Sequence, residues 1–411
     1  MRILMVQTFY YYRGGDSTYM LSLSKLLEEK GHEIVPFAME HPLNLPSPYG
    51  RFFVSEIDFP DLLRRSSPGA AWKVATRSIY NGEARRKIAA LADEVKPDVA
   101  HFHNIHAHLT ASIVAPLLKR RIPIVWTLHD YRLICPNTSL LSRGELCERC
   151  IPNRFYQAVL QRCKKGSLPA SFIAMLTTLY DRLERIPVRI DRFITPSDFL
   201  KSMLLRGGFD RSRIACVPNF VDLAGYTGLA EKDYFCYIGR LSHEKGLDVL
   251  IRAVASLDAG RLLIVGDGPE ADSLRRLAAE LGTSRVEFAG YRGGAELKRI
   301  LGESQFVVLP SRWYENLPFA VMEAFASSKA VAAARIGGIP EMVDDGIDGL
   351  LFPAGDAAAL AACLRRMLGD RRTREEMGRR GRDKAERLYG RETHYAQIER
   401  VYREVIAGKP A

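Results

Sequence analysis

Short apolar runs rich in Val, Ile and Leu alternate along the whole chain with stretches whose apolar positions recur at helical spacing. This alternation predicts an α/β protein of parallel sheets wound through strand–helix units. The first unit shows the logic. A strand over residues 3–7 leads through a Tyr- and Gly-containing loop into a helix whose Met20, Leu23, Leu26 and Leu27 share one face, with Gly31 behind as a C-cap. Further strands are expected over residues 33–39, 98–104, 123–130 and 192–197, in one sheet. A last strand within 213–222 turns at Pro218-Asn219, and the boundary between two domains is placed there, giving 1–222 and 223–390. Strands over 234–239, 261–266, 285–290, 305–310 and 330–334 make a second wound sheet. Residues 391–411 hold Tyr395, Ile398, Tyr402 and Val405 at helical spacing, and this helix is expected to pack back across the hinge.

The 411 residues are enough for two ordinary cores. No stretch approaches the roughly 18 to 20 uninterrupted apolar residues of a spanning helix. The first residues read as a strand and not as a signal peptide, so a cytoplasmic protein is expected. Charge divides unevenly. Residues 1–222 hold 31 Lys and Arg against 21 Asp and Glu, a net of +10, and the remainder 28 against 27, a net of +1. Clusters at Arg64-Arg65, Arg85-Arg86-Lys87, Lys119-Arg120-Arg121 and Lys164-Lys165 suit an anionic membrane surface or lipid-linked acceptor, or are solvated faces that keep the protein soluble. No nucleic-acid partner is expected. Trp72, Val74, Ile79 and Tyr80 beside Lys73, Arg77 and Arg85 mark a segment suited to rest on a bilayer, at the cytoplasmic face of the membrane.

Four segments carry candidate chemistry. In 239–246, Arg240 and Lys245 sit on the turn after the opening strand of the second domain, where a diphosphate would meet two cations and free helix N–H groups. In 311–324, Glu315 and Glu323 stand eight residues apart, so two carboxylates reach different parts of one long ligand, with Asn316 and Leu317 beside the first. The chain here resembles glycosyltransferase family 4, the group of retaining enzymes with the GT-B arrangement of two facing Rossmann-like domains. The resemblance rests on Glu315 and Glu323, on Gly239-Arg240 with Lys245-Gly246, and on 217–222, 265–270, 337–341 and 345–349, and it covers nearly the whole chain. It implies a nucleotide-diphosphate sugar donor held on the second domain and a saccharide acceptor on the first; UDP or GDP is the expected nucleotide, and the positive charge of residues 1–222 favours a lipid-linked acceptor in surface-polysaccharide assembly. Glu315 would then sit by the transferred sugar, Glu323 by the ribose, and Arg240 and Lys245 by the diphosphate, with no metal needed for catalysis.

The third segment, 125–132, ends a first-domain strand with His129, placed to contact the donor sugar or orient the acceptor; the family has a His-Asp pair here. The fourth is the loop with Gly14 and Gly15, which in the family closes over the donor, and which reads equally as a tight turn. Tyr291 and Arg292, past a second-domain strand, are the candidates for base contacts. His101, His103, His106 and His108 straddle a strand end and specify no metal. Cys135, Cys147, Cys150 and Cys163 fall in one span, spaced either for a structural zinc or as reduced thiols packed in an insertion. Two rival enzymes remain at this point, besides a carbohydrate-binding or scaffolding protein without activity, against which the intact Arg240, Lys245, Glu315 and Glu323 argue. One is a sugar-nucleotide epimerase or phosphorylase of the same fold. The other is an NAD-dependent oxidoreductase, since Gly266-Asp-Gly-Pro-Glu-Ala271 imitates a dinucleotide fingerprint with Glu287 beyond it. The fingerprint belongs after a first strand, however, and here follows a second.

Overall fold

The computed structural model describes residues 1–56, 76–106 and 108–408. Its strands are β1 (Arg2–Val6), β2 (Glu33–Phe37), β3 (Val99–Phe102), β4 (Ile124–Thr127), β5 (Leu141–Ser142), β6 (Glu145–Leu146), β7 (Arg192–Thr195) and β8 (Ile214–Cys216), then β9 (Phe235–Ile238), β10 (Leu262–Val265), β11 (Val286–Gly290), β12 (Val307–Leu309), β13 (Val331–Ala334) and β14 (Gly349–Phe352). The first sheet runs β2-β1-β3-β4-β7-β8 and the second β11-β10-β9-β12-β13-β14, with every pairing in both parallel. Helices cover both faces, so strands such as Leu-Leu-Ile-Val in β10 and Val-Ala-Ala-Ala in β13 are apolar and buried throughout.

Each sheet reverses its winding once: between β1 and β3 in the first, between β9 and β12 in the second. Loops leaving the carboxyl ends of strands beside such a reversal part to opposite faces and open a crevice. Beside the first reversal the strands end two or three residues earlier than the apolar pattern suggests, β3 at Phe102 and β4 at Thr127, whereas β11 and β13 end where expected. The residues beyond, Asn104 and His129 among them, leave the sheet for that crevice. β14 and the β5–β6 hairpin escaped the sequence pattern, because a four-residue strand opening on Gly349 and a pair of two-residue strands carry almost no periodicity.

The Gly15–Glu29 helix buries Met20, Leu23, Leu26 and Leu27, and Gly31 follows it at φ +82°. The Arg391–Ala407 helix lies on the first domain. Its Ile398, Val401, Tyr402 and Val405 pack among Ile3, Met5, Leu23, Val99 and Val125. Tyr402 Oη meets His101 Nδ1 at 2.6 Å.

Among the described residues, no helix is long and apolar enough to cross a membrane. Arg64, Arg65, Trp72, Lys73 and Val74 lie outside the described residues. The remaining basic clusters are partly spent on local pairs: Lys87 bonds the Phe53 carbonyl and pairs with Glu83, and Arg120 pairs with Asp93 at 2.5 Å. Arg85 and Arg86 stay exposed.

Candidate active site

A cleft of ≈ 710 Å³ lies where the two winding reversals face each other, lined from the first domain by Gly15, Asp16, Asn104 and His129 and from the second by Gly239, Arg240, Lys245, Glu315 and Glu323. Gly246 shapes the basic turn. It adopts φ +68°, and a Cβ there would lie 2.1 Å from the Pro310 carbonyl oxygen, so only glycine lets this turn close against the end of β12. The turn aims the Lys245 ammonium at Glu315 Oε1, 2.7 Å away, and over the Trp313 ring at 5.1 Å from its centroid. Ser311 Oγ donates to the same carboxylate oxygen at 2.7 Å. Burial would raise the Glu315 carboxyl, but the Lys245 charge and the hydrogen bonds from Lys245 and Ser311 outweigh it and hold the group below its ordinary value. Arg240 stands exposed at the rim.

The helix that carries Glu323 starts at Phe319, so Glu315 sits in the loop before it and Glu323 one turn inside. No side chain caps the N-terminus of this Phe319–Ala326 helix, and Leu317, Pro318, Phe319 and Ala320 line the cleft there. Uncapped N–H groups and the helix dipole favour an anion. Glu323 is half-buried and accepts from Tyr226 Oη at 3.1 Å; its desolvation dominates and pushes its carboxyl up to about 7. Across the cleft, a Cβ on Gly15 would lie 3.6 Å from the Phe319 ring, whereas Gly14 does not reach the lining.

His129 is held from behind by His103, whose Nδ1 lies 3.1 Å from His129 Nε2, with the two rings stacked. Burial keeps it below its ordinary value despite Asp16 and Asp130, so it faces the cleft as a neutral imidazole. The adjacent His-Asp pair is no dyad. Asp130 turns instead to His106 Nε2, 3.6 Å away. The two domains meet directly at this point, as Asn316 Nδ2 donates to the His129 carbonyl at 2.8 Å and Tyr131 Oη to the Tyr314 carbonyl at 2.9 Å. Asn316 Oδ1 is buried without a partner.

Two residues that sequence reasoning missed, Asp16 and Asn104, complete the first-domain wall, with the buried Gln7 behind them. Gln7 and Asn104 amides each donate to Asp16 Oδ2 at 3.1 Å, fixing a carboxylate at the mouth of the first helix. The available signal was weak, since an acid in a first helical turn reads as an ordinary dipole complement.

The remaining candidates fall elsewhere. Tyr291 and Arg292 lie outside the cleft lining: Tyr291 is 76% exposed beyond the edge strand β11, and Arg292 pairs with Glu296. The glycines of the fingerprint lookalike have a packing cause. A Cβ on Gly266 would fall 1.9 Å from the Gly239 carbonyl oxygen and one on Gly268 2.3 Å from that of Leu241, so they let two neighbouring loops touch. Glu287 sits within β11, paired with Arg261. Among the described residues, no three His, Cys, Asp or Glu side chains are placed to hold a metal ion. The four clustered cysteines share one neighbourhood without converging: Cys135 and Cys150 are buried, and burial followed by the other three thiols pushes Cys150 up to about 12.

Two facing Rossmann-like domains with this cleft between them make the GT-B fold. The chain belongs to glycosyltransferase family 4: it matches the model "Glycosyltransferase Family 4" over residues 13–224 and "Glycosyl transferases group 1" over 227–384. It is similar to the D-inositol 3-phosphate glycosyltransferase of Nocardia farcinica, 37% identical over 407 residues, 89% of this chain and 80% of that one. It is also similar to the lipopolysaccharide core biosynthesis glycosyltransferase LpsE of Rhizobium meliloti, 31% identical over 46% of this chain and 54% of that protein. For some other curated relatives the chain spans less than half of their length. The Anabaena Alr3699/HepE structure in complex with UDP-glucose superposes with TM-score 0.69 at 18% identity, covering 98% of this chain and 100% of that one.

Proposed function

We propose that this enzyme transfers a sugar with retention from a nucleotide-diphosphate donor, bound on the second domain, to a saccharide acceptor on the first, without a catalytic metal. The observation that carries the reading is the Lys245–Glu315–Ser311 cluster beside the uncapped helix N-terminus at Leu317–Ala320, directly opposite His129. A diphosphate placed between Arg240, Lys245 and those N–H groups has its developing charge matched as the bond between the anomeric carbon and the β-phosphate oxygen breaks. The acceptor hydroxyl oxygen forms the new bond from the same face, and its proton passes to the departing diphosphate oxygen. Glu315, kept ionised by Lys245, faces the electron-poor sugar, and neutral His129 orients a hydroxyl. Glu323 and Asp16 are acceptors for donor hydroxyls.

A UDP- or GDP-linked donor is the first choice, and the UDP-glucose bound to the Anabaena neighbour supports the former. A lipid-linked acceptor in surface-polysaccharide or glycoconjugate assembly fits the charge of residues 1–222 and the lipopolysaccharide relative. That acceptor implies work at the cytoplasmic face of the membrane. Thermal denaturation with a panel of UDP-, GDP- and ADP-sugars tests the donor, because a ligand bound only by the native state raises apparent stability. Product stereochemistry with the stabilising donor then tests retention. An inverted anomeric product would overturn the mechanism.

A further inference from the structure

The Leu168–Leu183 helix is amphipathic the wrong way round. It buries Ser171, Ala174, Thr177, Thr178 and Asp181 against the first domain, and turns Leu168, Phe172, Leu179 and Leu183 outward at helical spacing. A surface helix ordinarily does the reverse. The inner face tolerates burial because its hydroxyls are satisfied within the helix: Ser171, Thr177 and Thr178 each donate to the carbonyl four residues back. Tyr156, Leu160 and Val188, on the short segments that pack beside this helix, are exposed as well. Seven of the seventeen large hydrophobic side chains exposed among the described residues therefore crowd into residues 156–188, and Leu183 is 80% exposed. Scattered exposed leucines need no cause, whereas a contiguous patch marks an interaction surface.

The charge around the patch selects the partner. Residues 149–189 hold eight Lys and Arg against Asp181 and Glu184, and Asp181 lies buried on the inner face with its carboxyl pushed up to about 7. Arg162, Lys165, Arg185 and Arg189 are exposed at the ends of the stripe. Tyr80 packs edge-on against Tyr180 with ring centroids 6.1 Å apart, which brings the exposed Arg85 and Arg86 to the same border. A second copy docking on this face through a two-fold axis would set these basic rims against each other. An anionic bilayer instead accepts the apolar stripe between its headgroups and the cations at its surface. We propose that the outward face of the Leu168–Leu183 helix docks the enzyme on an anionic lipid bilayer. The inference needs only this face, so it stands or falls independently of which sugar is transferred.

Co-sedimentation of the full chain with phosphatidylcholine vesicles, with and without phosphatidylglycerol, tests it. Binding is expected only with the anionic lipid and should weaken with salt. The Phe172→Glu/Leu183→Glu double variant should lose roughly tenfold or more of that binding, while its melting temperature and its stabilisation by UDP or GDP stay as in the wild type. Arg185→Gln/Arg189→Gln should lose less and flatten the salt dependence. Unchanged vesicle binding by the Phe172→Glu/Leu183→Glu protein overturns the proposal. So does absence of binding to anionic vesicles, or a wild-type dimer in solution that this variant converts to monomer.

Discussion

Lys245 and Arg240 serve one diphosphate in the proposed reaction but carry different obligations to the fold. Lys245 neutralises a buried Glu315, whereas Arg240 stands exposed at the rim. Both Arg240→Ala and Lys245→Ala are expected to lower turnover by about a hundredfold to a thousandfold, the usual effect of losing an electrostatic donor. Only Lys245→Ala should also unfold earlier, by on the order of 3 kcal/mol, because it strands a buried carboxylate. Parallel kinetics and denaturant melts separate the two, and equal stabilities would dissolve the distinction. Glu323 carries a pH signature. Its folded-state carboxyl is raised, so the stability it contributes is fully present below the ordinary value near 4.5 and is lost as pH rises through about 7. Glu323→Gln should therefore melt higher than wild type at alkaline pH and show little gain in mild acid. If the ionised form accepts from the ribose, calorimetry should find nucleotide affinity rising between mildly acidic and mildly alkaline pH in the wild type and flat in the variant. Glu315 and Glu323 were legible in the sequence because one local motif holds both. Asp16 was not, since Gln7 and Asn104 reach it only once β1 and β3 lie side by side.

Elements of the two domains are tied by capping as well as by packing. The Asp198–Arg206 helix of the first domain is capped by its own Ser197 and again by Glu341 of the second, whose carboxylate accepts from the backbone N–H groups of Asp198 at 2.8 Å and Phe199 at 2.5 Å. Such a carboxylate at a helix N-terminus is worth about 1 kcal/mol. Glu341→Ala should thus shift the molecule toward an open cleft, seen as a larger radius of gyration by small-angle scattering without nucleotide and a smaller change when nucleotide is added. The insertion with the four cysteines makes a second tie, through Tyr314 Oη donating to Glu148 at 2.8 Å, with Glu148 also paired to Arg206 at 2.5 Å. Its thiols are spread about Cys150, and we expect them reduced. Stoichiometric zinc by elemental analysis, in protein purified without chelator, would instead show that they close on a metal.

At the scale of the whole molecule, both wound sheets were legible because each buries both faces and so writes continuous apolar runs. The register between the domains was not, because the bonds that set it, such as Asn316 to the His129 carbonyl and Tyr131 to the Tyr314 carbonyl, pair loop residues of no distinctive pattern. The Arg391–Ala407 helix binds the first domain through Tyr402 to His101, through His394 to Tyr19 at 3.0 Å, and through Lys30 to Glu392 at 2.7 Å. Tyr402→Ala should cost about 3 kcal/mol, as for other large aromatic truncations in a core, and chemical denaturation should show the first domain giving way before the second. This placement also orders events during synthesis. Domains generally fold as they emerge from the ribosome, the N-terminal one first. Here a nascent chain that has not reached residue 398 leaves Ile3, Met5 and Val125 without the side chains that cover them. The first domain made is therefore the last to be finished, and through the whole translation of the second it remains a client for whatever shields bare apolar surface in the cell.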